Sequence, residues 1–148
     1  MAHPYPPVAA GERDTLVAYL DYYRELMIDK AGGLTREQVN QRLLPSTLTL
    51  IGLIHHLALV EHWWFHMFFS GATPIEPWAS VDWDDDPDWE MTVAADLDPD
   101  VVIERYRDAI ERSNNVLARC HSVEQLSSMD RQGEHRSMRW ILIHMIEE

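Results

Sequence analysis

Four histidines, His55, His56, His62 and His66, stand within residues 47–69, where most of the other side chains are apolar. Imidazole is the commonest protein ligand for transition metals and titrates near neutrality, so a helix that carries four of them points first to a divalent metal. Residues seven apart on a helix lie nearly on one face, and neighbours differ by roughly 100°. His56 therefore shares a face with Leu53, Val60, Trp63 and Met67, and is expected to look into the interior near the last helix, whereas His55 shares its face with His62. His62 and His66 are four apart and could jointly hold a metal. Near the end of the chain His144 and Glu148 repeat that spacing. Two helices each offering inward polar ligands is how metal sites are built inside bundles.

Blander accounts stand beside each of these. A single histidine on an apolar helix is more often a hydrogen-bonded core residue, and His144 with Glu148 can be a surface pair that stabilises its own helix. Trp63, Trp64 and Trp140 read as core. Cys120 reads as a buried filler, although it precedes His121 and a reactive thiol there stays open. The acidic run from Asp82 to Asp88 does not read as a calcium loop: begun at Asp82, it places Pro87 where glycine belongs and Val93 where the bidentate glutamate belongs. Phosphate-binding glycine loops, the zincin pattern and the nucleophile elbow are absent.

The elements that must position these side chains follow from periodicity and punctuation. Pro4, Pro6 and Pro7 mark an extended arm, after which Leu16, Leu20, Tyr23 and Met27 recur at helical spacing until Gly32-Gly33 stops them. Thr35 to Gln38 reads as a capping box for a short helix ending before Pro45, and Ser46 or Thr47 caps the long helix that carries the histidines. From Ser70 to Asp98 periodicity disappears among prolines, acids and tryptophans. The segment reads as a long acidic loop whose Trp78, Trp83 and Trp89 lie down on the helices. Asp98-Pro99 starts a helix with a stripe of Val102, Tyr106, Ile110 and Leu117, and Ser137 caps the last, with Trp140, Ile143 and His144. Four substantial helices with no alternating strand pattern predict an all-α four-helix bundle.

At 148 residues with 46% hydrophobic content the chain predicts one domain, residues 1–148. Twelve basic against twenty-five acidic residues give a formal charge of −13, and the nine acids between Asp82 and Asp100 have no Lys or Arg among them. Such a surface repels phosphate backbones and anionic lipid, so nucleic acid and membrane are excluded as partners. A single cysteine, no signal-like start and an apolar run broken by histidines and Glu61 predict a cytoplasmic protein. The ending Trp140-Ile-Leu-Ile-His-Met-Ile-Glu-Glu148 has no stop signal and places two acids at a helix C-terminus, so the last helix reads as cut short.

The segment Leu48 to Phe65, together with Leu20-Asp21-Tyr22-Tyr23-Arg24, Asp88-Trp89-Glu90 and Arg139 to Glu148, resembles the DinB-like superfamily. The likeness is strongest to its branch related to mycothiol-dependent maleylpyruvate isomerases and mycothiol S-transferases. It covers nearly the whole chain and rests on the order and spacing of its pieces. It implies a bundle of DinB-like type, with a long acidic, Trp-rich loop between the second and third main helices. It also implies a divalent metal held by one histidine of the second main helix and a pair, four residues apart, in the last. Carried over, the first ligand falls on His56 and the first of the pair on Glu148. The partner of Glu148 falls four residues beyond the final residue, so the chain is expected to bind metal weakly or not at all. His144 either lines the site as a further ligand or orients one.

Imidazole with carboxylate suits zinc first, and nickel, iron or manganese to different degrees. The chemistry implied is activation of a low-molecular-weight thiol such as mycothiol for attack on an electrophile. Two other classes compete: a metal-dependent hydrolase of the same fold, and a non-catalytic metal-binding or dimerisation module. A homodimer is expected of bundles of this kind.

Overall fold

The structure, a computed structural model, describes residues 3–42 and 47–148. It is mostly helical with one small two-stranded sheet. Helix α1 (Glu12–Ala31) begins with Glu12 and Asp14 in its first turn and ends at Gly32, as its charge pattern favours. Its buried stripe is Leu20, Arg24, Ile28 and Ala31, and Tyr23 is exposed, which corrects the expected stripe through Tyr23. The reason is that Arg24, a charged residue no hydrophobic pattern counts, turns inward to a partner. Helix α2 (Arg36–Val39) is shorter than expected, and its capping box between Thr35 and Gln38 is formed in both directions. The expected end of that helix near Leu43, and Ser46 as a cap, lie outside the described residues.

Helix α3 (Leu50–Glu61) is capped by Thr49, whose hydroxyl accepts from the Gly52 amide; the cap is therefore two residues later than Thr47. The helix continues without a break into a π-helical stretch, His62–Phe69. There the Ser70 amide reaches back five residues to the Phe65 carbonyl. The segment from Ser70 to Asp98 is more structured than its composition predicts. It contains a helical turn at Trp78–Ser80, helix α4 (Trp89–Val93) and a further turn at Ala94–Asp96. Trp78 is buried, and Trp83 and Trp89 pack against the same cluster. Helix α4 lies on α3 over Gly52, where a Cβ would crowd the capping Thr49 hydroxyl at 3.0 Å and touch Met91 Sδ at 3.4 Å.

Helix α5 (Pro99–Arg119) opens on Asp98, whose carboxylate accepts from the Asp100 amide, with Pro99 at the first helical position. The Leu117 carbonyl in its last turn and the Cys120 carbonyl just past its end accept from the Arg13 guanidinium at 2.5 and 2.6 Å. The mostly helical architecture holds, with one addition that the sequence pattern did not announce: β1 (Leu126–Arg131) and β2 (Glu134–Ser137) form an antiparallel hairpin outside the core. Gln132 and Gly133 both have positive φ, 58° and 80°, the conformation a two-residue hairpin turn requires. Of the six β1 residues only Ser127 is buried, which is why no apolar alternation announced the strand. Helix α6 (Met138–Glu147) follows at once, with Ser137 capping the Trp140 amide.

The buried residues form two clusters. One gathers Trp64, Phe65 and Phe68 with Leu20, Leu117, Ile141 and Leu142; the other gathers Ile51, Ile54 and Ala58 with Ile28, Val102 and Tyr106. Close to both lies an ionic pair. Arg24 donates through Nε and a terminal nitrogen to both oxygens of Glu61, each at 2.7 Å, and through its other terminal nitrogen to Asp21 and Asn114. The two side chains are 2% and 1% exposed, so the pair joins α1, α3 and α5 inside the protein. Burial alone would lower the pKa of Arg24, but the Glu61 and Asp21 carboxylates outweigh it and hold it above the ordinary value. Among the described residues no helix is long and apolar enough to cross a membrane.

Candidate functional site

Adjacent positions on α3 give His55 and His56 opposite duties. His55 is fully buried, packed beside Trp78 and Trp89, so the expectation that His56 rather than His55 faces the interior is corrected. Its Nδ1 lies 2.7 Å from the Glu90 carbonyl and its Nε2 2.6 Å from the Arg105 guanidinium. A carbonyl can only accept and a guanidinium can only donate, so His55 is the neutral tautomer with its proton on Nδ1. Burial, followed by the charge of Arg105, lowers its pKa to about 4, against the pull of the Glu90 carbonyl. It is a structural clamp that ties α4 to α3.

Because the folded-state pKa lies below the ordinary 6.5, the unfolded chain takes up the proton first. The stability His55 contributes is fully present above about pH 6.5 and is lost as pH falls towards 4. Denaturant midpoints measured between pH 7.5 and 4.5 are expected to fall less steeply for His55→Gln than for the wild type. Parallel curves would show that His55 is not a source of the acid sensitivity.

His56, 31% exposed, turns towards the end of α6. Its Nδ1 is 2.9 Å from Glu90 Oε1, and a carboxylate oxygen accepts here, so Nδ1 donates to Glu90 and Nε2 is the nitrogen left facing α6. That nitrogen lies 3.8 Å from Glu148 Oε2, while the other oxygen of Glu148 is 3.2 Å from His144 Nε2. The Glu148 carboxylate thus stands between two imidazoles. His144 is held in place by rings, stacked on Trp140 at 4.9 Å and edge-on to Trp64 at 4.8 Å. The structure therefore brings His56, Glu148 and His144 together from α3 and α6.

The donor chemistry suits a borderline divalent cation. Ligands about 2.1 Å from a tetrahedral ion are about 3.4 Å apart, and 3.8 and 3.2 Å fall on either side of that spacing. A carboxylate on the remote nitrogen of a metal-binding histidine is the usual means of fixing its tautomer. Glu90 is 7% exposed, and its second oxygen is buried with no hydrogen-bond partner. Among the described residues no group of three or more His, Cys, Asp or Glu side chains converges closely enough to hold an ion. What the geometry shows is one carboxylate, Glu148, facing the Nε2 atoms of His56 and His144.

The other two histidines do something else. His62 and His66 stack at 4.9 Å with their ring planes 26° apart, and His66 Nε2 donates to the Thr73 carbonyl. His62 is buried, and neither of its nitrogens has a partner. Burial, then the neighbouring His66 and Arg112, lower its pKa to about 4. Cys120 is buried and its thiol meets the Ser122 carbonyl at 3.1 Å, a filler as expected. Trp64 is core, but Trp63 and Trp140 are substantially exposed.

Glu90 entered the sequence reading only within the Asp88-Trp89-Glu90 likeness: as one acid among nine in a stretch without a base, it gives no sign by itself that it alone turns inward. A family model described as mycothiol-S-transferase matches residues 15–148. No curated protein and no solved structure matches the chain.

Proposed function

The chain belongs to the mycothiol-S-transferase family, and on that premise we propose that it joins a low-molecular-weight thiol, mycothiol or a close analogue, to an electrophile with the help of a divalent metal. The observation that carries the metal part is the orientation of His56: Glu90 holds Nδ1, which leaves Nε2 free and aimed at Glu148. In this reading the four longest helical stretches form a bundle of DinB-like type around His56, Glu148 and His144. A divalent cation there, zinc before nickel, iron or manganese, would supply the Lewis acidity that lowers a thiol pKa so that the thiolate predominates near neutral pH. His56 and Glu148 would hold the cation, and His144 would either join them or keep the Glu148 carboxylate in place. Glu90 keeps the His56 proton on Nδ1. The thiol sulfur then bonds to the electrophilic carbon, the leaving group departs with the bonding pair, and the thiol proton passes to solvent.

The test is consumption of mycothiol against a panel of electrophiles, with and without a chelator. Thiol-dependent turnover that stops with chelator and returns with zinc is expected. Turnover indifferent to thiol would support a hydrolase instead, and no turnover with intact metal binding would support a non-catalytic module. Glu90→Gln keeps the shape of the side chain and removes its charge, so metal affinity is expected to fall about 10–100-fold, as at other sites that lose such a partner. Calorimetric titration with zinc measures it, and an unchanged affinity would remove Glu90 from the site.

A further inference from the structure

The π-helical stretch, the tryptophan-rich segment and the hairpin enclose a cleft of about 860 Å³. It begins one turn beyond His56, at Leu59 and Val60. Its walls include Trp63, Trp78 and Trp83 from two elements, with Met129 from the hairpin. Its polar groups are Asp130, Arg131 and Gln132 at the hairpin turn, and His62. His62 is the telling one. The ring is 3% exposed and neither nitrogen touches a protein partner, an arrangement that leaves both a donor and an acceptor unmet in an apolar wall. Buried polar atoms of this kind are costly unless something else satisfies them. A roomy cleft lined by indole rings and thioethers, with one convergent polar group, has the make-up of a small-molecule site.

We propose that this cleft binds the electrophilic co-substrate, and that the co-substrate is a hydrophobic, ring-containing molecule bearing a polar group that hydrogen-bonds to His62. The assignment to the electrophile rests on the transferase reading above. Trp63 lies seven residues from His56 on the same helix, about 10 Å along the axis. On this proposal the reactive end of the co-substrate is the end seated at Leu59 and Val60, the part of the cleft one turn from His56. The indole faces select flat rings, His62 selects for the polar group, and the thiol is left to the more polar surroundings of His56, Glu90 and Glu148.

The test uses 1-naphthol and naphthalene, which share a ring system and differ in one hydroxyl. Wild-type protein is expected to bind 1-naphthol on the order of tenfold more tightly, the worth of one buried hydrogen bond. His62→Phe, which keeps a ring and removes both nitrogens, is expected to bind the two alike. Ala79→Trp, at an exposed position on the rim, is expected to weaken both at least tenfold with an unchanged melting temperature. In turnover, 1-naphthol is expected to compete with the electrophile and not with the thiol. Equal binding of the two probes to the wild type, or an unchanged preference in His62→Phe, would overturn the proposal. So would His62-dependent binding that does not compete with the electrophile. His62-dependent binding by a protein that consumes no thiol with any electrophile would instead count against the transferase reading and leave the ligand class of the cleft standing.

Discussion

Glu61→Ala is expected to cost the protein about 3–5 kcal/mol of stability, a large share of the roughly 5–15 kcal/mol typical of a domain. The substitution strips Arg24 of two 2.7 Å hydrogen bonds and leaves a guanidinium that is 2% exposed leaning on Asp21 and Asn114 alone. A charge taken out of water is tolerated only while its partner and remaining donors are satisfied. The reciprocal change, Arg24→Met, is expected to be harmful for the same reason. The double variant Arg24→Met with Glu61→Leu removes both charges and should recover most of the loss. Guanidinium unfolding of the two single variants and the double variant measures this, and a loss below about 1 kcal/mol for Glu61→Ala would show that the pair is not a structural support.

The second large effect separates two neighbours. His56→Ala is expected to weaken zinc binding by at least about 100-fold and to abolish thiol transfer, while the unfolding curve stays close to that of the wild type, because the side chain is half-buried and packs little core. His55→Ala is expected to do the reverse. It removes a fully buried ring, frees the Glu90 carbonyl and leaves Arg105 without its acceptor, so stability falls even where zinc still binds. Zinc titration and denaturation of both variants make a crossed comparison. Equal effects of the two on metal affinity would mean that His56 acts only by holding Glu90.

The two histidines also show how far sequence patterns reach. Helical spacing separates His55 from His56, and the family likeness picks His56 beside Glu148, yet the inward face belongs to His55. A wheel assigns faces by counting apolar neighbours and cannot see that Arg105, fifty residues away, supplies the donor that makes a buried imidazole acceptable. Arg24 fails the same count because its counter-charge is on another helix. The caps at Thr35, Asp98 and Ser137 were legible because each is a local bargain between a side chain and an amide two or three residues on. The hairpin was not: its strands are polar and almost wholly exposed, so they carry no apolar alternation. Nor can a wheel anticipate the π-helical register of His62–Phe69, which shifts the phase of every side chain after it.

The hairpin runs directly into α6, yet none of its residues touches His56, Glu90 or Glu148 by hydrogen bond or ion pair, and it lines the cleft through Met129 and its turn. Residues 130–132 are exposed and joined by a two-residue bend, so their side chains can change at almost no cost to the helices. On the proposed reading, substitutions at these three positions would retune what the cleft admits without touching His56, Glu90 or Glu148, so selectivity and chemistry would be adjustable separately.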